Sequence, residues 1–198
     1  MIDKLKEDFY VAVVAYTGFD DSDTESYCSV TDELEKIEQY IKEQYGGKIC
    51  AAYGCSLGGT FVAHLAARHN ISMKYGIIGS SDMDQAGNIK AALMANPDPY
   101  NKAFAAITGR DQYDMSFITK DSMINQFKSD LVTSLPTGID NGETEIHVFY
   151  AKKMGEKYLG RYKKHFKNPI IHEQDMRHEE FLGVYPDDWC SLVKEICI

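Results

Sequence analysis

Several things are scarce in this sequence, and each shortage excludes something. Of 198 residues only 21 are basic, against 30 acidic, for a net charge of −9. Nucleic-acid binding leans on neutralising phosphates with Lys and Arg, so this balance argues against a nucleic-acid partner. No run approaches the ~20 apolar residues that a membrane helix needs. The first eight residues, MIDKLKED, are too charged for a signal peptide. The sequence therefore predicts no membrane partner and no secretion. The five cysteines (Cys28, Cys50, Cys55, Cys190 and Cys197) form an odd set without a CxxC pair. Odd, scattered thiols in a chain without a secretion signal point to a reduced cytoplasmic protein. Neither GxGxxG nor a P-loop is present, so no cofactor is expected. Internal repeats and low-complexity segments are absent as well.

What is there fits one soluble globular domain. At 44% hydrophobic and 26% charged residues, disorder and coiled coil drop out. A chain of this length buries roughly 70% of its unfolded surface, enough for a core without staples.

Residues 9–16 (FYVAVVAY) form a continuous β-branched and aromatic run, the pattern of a strand buried on both faces. Thr31 is placed to cap a helix carrying Leu34, Ile37, Ile41 and Tyr45, which Gly46 and Gly47 stop. Further strands are predicted at 48–53, 73–79, 145–151 and 169–173, with helices at 58–69, about 124–135, 156–166 and 187–196. Strands alternating with helices imply an α/β fold. Its mainly parallel sheet has about five strands, with helices on both faces. Residues 83–119 are irregular, broken by Asn96-Pro-Asp-Pro99 and Gly109-Arg-Asp111.

The chemistry gathers at Gly54-Cys-Ser56-Leu-Gly58-Gly59, between a predicted strand and a predicted helix. That context makes GxSxG a nucleophile elbow: a sharp turn leaves the serine exposed at its tip. Glycines beside it remove side chains where strand and helix nearly touch. The following helix aims its N-terminus at the reaction centre, so the Leu57 N–H is free to donate to an oxyanion. Cys55 abuts the serine but points away from it, a structural thiol.

With these residues the chain resembles the α/β-hydrolases over nearly its whole length, most of all the small esterase-like bacterial members. The resemblance implies a single domain with a lid-like insertion at about 83–119 and a Ser-His-acid triad. It also implies that the histidine lies on the loop after the last strand, where His178 stands in Asp-Met-Arg-His178-Glu-Glu. His172 falls inside the predicted strand, where a histidine is packed or paired. A zinc reading of His172-Glu173 fails, because HExxH needs its second histidine four residues on and His178 is six away. The family's acid follows the penultimate strand. Here Lys153 or Met154 occupies that place and Glu156 is the nearest carboxylate, with Asp82 and Asp84, which follow the strand before the lid, as alternatives.

The family's opening strands and their glycine-bearing oxyanion loop have no counterpart, unless Gly18-Phe19 is a shortened loop of that kind. The truncated reading predicts that the 9–16 strand pairs directly with 48–53, or that a partner chain covers the edge, as in a homodimer. It also makes 1–8 the remnant of a helix. Function follows the same line: a cytoplasmic serine hydrolase cleaving a carboxylic ester or related small acyl compound. Ser56 would be the nucleophile, His178 the base and Glu156 the acid. The alternative is a weakly active or inactive binding or regulatory protein on the same fold.

Overall fold

The computed structural model describes residues 2–81, 117–132, 135, 137–178 and 180–198. The predicted lid, apart from its last residues 117–119, and the alternative acids Asp82 and Asp84 lie outside them. The chain divides into two compact units. The first comprises Met1–Val13, Ile37–Met83 and Leu135–Ile198, and the second Val14–Lys36 and Asp84–Ser134.

The first unit is built on four parallel strands, β1 (Lys48–Cys55), β2 (Ser72–Gly79), β3 (Glu145–Ala151) and β4 (Ile170–Gln174), ordered β1-β2-β3-β4. Central β3 is buried from Ile146 through Ala151, which is why EIHVFYA shows no polar alternation. Edge strand β1 keeps Lys48 and Cys50 exposed. Helix α1 (Ile2–Leu5) confirms the helical start of the chain, and α2 (Val30–Tyr45) ends where Gly46 and Gly47 both take positive φ. Capping of α2 differs from expectation. Ser29 Oγ accepts from the Asp32 N–H at 3.2 Å, so the helix starts before Thr31, at Val30.

Helix α3 (Leu57–Arg68) packs on β1 and β2. It approaches so closely that a Cβ on Gly76 of β2 would lie 3.2 Å from Val62. Helix α4 (Lys120–Val132) belongs to the second unit. Helix α5 (Glu156–His165) follows β3, while α6 (Glu180–Val184) and α7 (Pro186–Cys197) follow β4. Leu5, Ile77, Phe149, Trp189, Cys190 and Val193 make the core on the α7 side, where Trp189 packs as its position in an amphipathic helix implies. No described helix is long and apolar enough to cross a membrane.

In the second unit, buried Tyr27 organises the loop that precedes α2. Its hydroxyl donates to Ser129 Oγ at 2.9 Å, its N–H donates to Ser122 Oγ at 2.9 Å, and its carbonyl accepts from Asn125 at 3.1 Å.

Residues 9–16 correct the sequence reading. They form no strand, and among the described residues the sheet has four strands, not five. The expected pairing with 48–53 does not occur. Local bonding explains this. The Leu5 carbonyl accepts from the Phe9 N–H at 2.9 Å, and Lys194 of α7 holds Asp8 at 2.6 Å and Glu7 at 3.3 Å. Phe9 and Val11 then pack on the α7-side core by their side chains. The apolar run is used for packing rather than for a ladder, and Tyr10 and Val13 are left 83% and 72% exposed.

One buried ion pair ties α2 to α3. Glu38, 3% exposed, accepts from Arg68 at 2.7 and 3.1 Å and from Asn70 at 2.8 Å. Burial pushes the Glu38 carboxyl up, but the bonds from Arg68 and Asn70 and the Arg68 charge outweigh it and hold it below the usual value. Glu38→Ala should cost about 1–3 kcal/mol of unfolding free energy by urea titration, since Arg68 and Asn70 are left without their acceptor. An unchanged midpoint would show that the pair contributes nothing.

Candidate active site

Ser56 is the single residue between β1 and α3, and its backbone is strained, at φ 53° and ψ −121°. A non-glycine residue there costs about 1–3 kcal/mol and persists only where its surroundings over-determine it. They do. The Ser56 N–H donates to the Gly79 carbonyl at 2.9 Å, and the Ser56 carbonyl accepts from the Gly59 N–H at 3.0 Å and Ser81 Oγ at 2.7 Å. Buried Tyr162 of α5 completes the frame by donating from its hydroxyl to the Ser81 carbonyl at 2.6 Å.

The flanking glycines are required by space. A Cβ on Gly54 would sit 2.0 Å from the Gly58 carbonyl oxygen, and one on Gly59 would sit 2.6 Å from Ser81 Cβ. Leu57 is the first residue of α3, so its N–H has no acceptor within the helix.

The other predicted residues fall on segments that leave the same, carboxyl end of the sheet. His178 lies between β4 and α6, and Glu156 opens α5 after β3. Their two loops run against each other: the Lys153 N–H donates to the Met176 carbonyl at 3.1 Å, and Lys153 Nζ lies 3.9 Å from Asp175. The side chains themselves are not joined. Among the described residues no hydrogen bond links Ser56 Oγ to His178, and none links Glu156 to His178. Glu156 is exposed at a helix start. Half-buried Cys55 faces a cavity of about 10 Å³ beneath the strand ends, shared with Phe149, Phe181 and Leu182 and large enough for one water at most.

No family model and no curated protein matches the chain in sequence. Solved structures do match it. An alpha/beta hydrolase family protein from Desulfitobacterium hafniense superposes with a TM-score of 0.73 at 20% identity, over 92% of this chain and 82% of its own. A lipase-esterase related protein from Clostridium acetobutylicum gives 0.73 at 14% identity, over 99% and 88%. The type II thioesterase BorB from the borrelidin biosynthetic cluster gives 0.74 at 14% identity, over 92% and 79%. The chain has the α/β-hydrolase fold.

Within that fold, the alternative oxyanion donors at Gly18 and Phe19 are already engaged. The Gly18 N–H donates to Asp23 Oδ2 at 2.7 Å and the Phe19 N–H to the Tyr16 carbonyl at 2.9 Å. Neither is available to an oxyanion in this arrangement.

His172 is paired, as its place inside a strand implies. His147 Nε2 meets Glu145 Oε1 at 2.7 Å, and His147 Nδ1 meets His172 Nε2 at 2.9 Å, with the rings stacked at 5.2 Å. Donation to the carboxylate puts the neutral His147 proton on Nε2. His147 Nδ1 then accepts from the His172 Nε2–H, a tautomer assigned from the network. Among the described residues no group of three or more His, Cys, Asp or Glu side chains is placed to hold a metal ion.

Sequence reasoning missed Ser81 and Tyr162. Ser81 adjoins a predicted strand end and had a local signal; Tyr162, eighty-one residues away, had none.

Two outcomes follow from this geometry. Gly54→Ala should destabilise the fold by about 1–3 kcal/mol by overpacking, whereas Gly160→Ala, in open space within α5, should stabilise it by about 0.5–1 kcal/mol. Equal effects in thermal denaturation would remove the steric account of the elbow. The second outcome concerns pH. Burial, then the positive charge of Arg68, lowers the His64 pKa; burial, then His147, lowers that of His172 against an opposing effect of Glu195. The unfolded chain therefore binds more protons than the native one below the ordinary value of 6.5. Their contribution is complete above that value and is lost as pH falls through it toward the lowered native pKa values. The melting temperature should drop between about pH 7 and pH 5, and His64→Gln with His172→Gln should flatten the slope.

Proposed function

We propose that this chain is a serine hydrolase acting on a carboxylic ester or related acyl compound. The strained Ser56 at the head of α3 carries the reading, since a folded chain retains such a conformation at a site of use. Structural neighbours that are an alpha/beta hydrolase, a lipase-esterase relative and a thioesterase support the hydrolase class.

In the proposed cycle Ser56 Oγ attacks the substrate carbonyl carbon while His178 takes its proton. The Leu57 N–H donates to the carbonyl oxygen as it becomes an oxyanion. When the tetrahedral intermediate collapses, His178 returns the proton to the leaving group and an acyl-Ser56 ester remains. Water, deprotonated by His178, then attacks that ester, and Ser56 regains its proton as the acid product leaves. Closure onto the substrate has to bring the serine and histidine into hydrogen-bond reach, a tightening common to sites that lack substrate. Glu156 is the carboxylate proposed to orient the imidazole, because it stands on the loop beside that of His178.

Engagement of the Gly18 and Phe19 N–H groups leaves the Leu57 N–H as the one assigned oxyanion donor. Loss of one donor typically costs about 10²–10³ in turnover. Slow hydrolysis is therefore expected, and the same observation favours the second reading, a binding or regulatory protein with feeble catalysis.

Ser56→Ala should abolish hydrolysis of a short activated ester and leave the circular dichroism spectrum unchanged. Turnover equal to the parent would place the activity elsewhere. Glu156→Gln should lower turnover more than Asp82→Asn or Asp84→Asn, and the reverse ranking would move the acid to the strand before the lid.

A further inference from the structure

Two stretches of the first unit lack the partners that their backbones call for. Among the described residues β1 bonds to β2 alone, so the N–H and C=O groups along its outer edge meet no strand. Residues 10–13 belong to no helix or strand, and no hydrogen bond among the described residues engages their backbone. Side chains hold this segment close to β1. The Tyr10 ring lies 5.8 Å from that of Tyr45, which precedes the Gly46-Gly47 turn into β1. Val11 packs on the core cluster that Ala51 and Tyr53 of β1 also line. Tyr10 and Val13 nevertheless stay 83% and 72% exposed, and Tyr40, 5.8 Å from Tyr45, is 49% exposed.

We propose that this edge is a dimerisation surface: residues 10–13 of each copy add a strand to the open β1 edge of a second copy. Each chain carries both an unpaired edge and an unpaired segment of strand-forming composition, YVAV. Within one chain the two do not pair, because Phe9 and Val11 pack on the α7-side core and the Phe9 N–H is bonded to Leu5. A second copy satisfies both at once, with main-chain bonds supplying the affinity. What one chain gives to its partner it also receives, so the contact is reciprocal and closes around a two-fold axis. A foreign strand would fill the edge and leave the segment unpaired.

Charge and composition point the same way. Free edges are ordinarily blunted by charged side chains, Lys above all, or by proline. The opposite edge strand, β4, follows that rule: it carries Glu173, which reaches Lys152 at 3.6 Å. Residues 9–19 and 49–55 contain neither charge nor proline, in a chain with 26% charged residues. Lys48, at the start of β1, is the exception. The net charge of −9 opposes the approach of two copies, so a stable contact has to lie where charge is absent. Tyr10 and Tyr40 add exposed aromatic rings close to the edge, a residue type enriched at interfaces.

The test is analytical ultracentrifugation of the full chain over a concentration series, with hydrogen exchange read by mass spectrometry on the same samples. The chain should sediment as a monomer–dimer equilibrium. Amides of 10–13 and 48–52 should exchange roughly tenfold more slowly in the dimer than in the monomer. Val13→Lys should weaken the dimer by roughly tenfold or more, because it places a charge in the new ladder, while Val13→Thr retains it. The exposure of Val13 keeps either change from disturbing the fold, which circular dichroism checks. Val184→Lys, at an exposed position of α6, should leave the dimer intact. A chain that stays monomeric at every concentration, an open series of larger species, or a dimer that Val13→Lys leaves unweakened would overturn the proposal. So would equally slow exchange at 48–52 in the monomer, since the edge would then be covered within one chain.

Discussion

The site depends on how closely β1 and α3 approach one another. At Gly54 and Gly58 the strand and the helix leave no room for even a methyl group, and Ser56 is the residue that turns the chain between them. Its left-handed backbone cannot be an accident of a loose loop, because both of its peptide groups are engaged. One bonds to the end of β2 and the other to Gly59 and Ser81. The strain is local, and the support for it comes from three separate elements: β2, α3 and, through Tyr162, α5.

That support fixes the serine at the carboxyl end of a parallel sheet, the edge where open α/β sheets place their chemistry. The loops bearing Glu156 and His178 leave the same edge and are tied to each other by a backbone bond from Lys153 to Met176. Ser56, held in a rigid frame, thus shares this edge of the sheet with the loops bearing Glu156 and His178. The Leu57 N–H has no acceptor within its helix, and the Gly18 and Phe19 N–H groups are bonded within their own unit.

Much of this was legible in the sequence because local physics dictates it. GxSxG between an apolar run and an apolar helix has few other uses, and residues 145–151 read as a strand. His172 read as paired because strand interiors seldom leave a histidine alone. The failures came from long-range packing. Residues 9–16 have every property of a strand, yet a strand needs a ladder partner, and the bonds of Leu5 to Phe9 and of Lys194 to Asp8 commit the segment to packing on α7. Nothing in the sequence linked Tyr162 to Ser81, because that bond spans the chain. The Ser29 cap was missed for a smaller reason: Ser29 and Thr31 are both good caps, and tertiary context chose between them.

The central claim is that Ser56 is an activated nucleophile, and covalent labelling tests it most directly. A fluorophosphonate probe reacts with a serine hydroxyl whose proton is taken by a neighbouring base and whose developing oxyanion is held. The account predicts stoichiometric labelling of the full chain, mapped to Ser56 by peptide mass spectrometry, suppressed by His178→Ala and absent in Ser56→Ala. A folded chain that stays unlabelled after prolonged exposure, or one labelled at any residue other than Ser56, would contradict it.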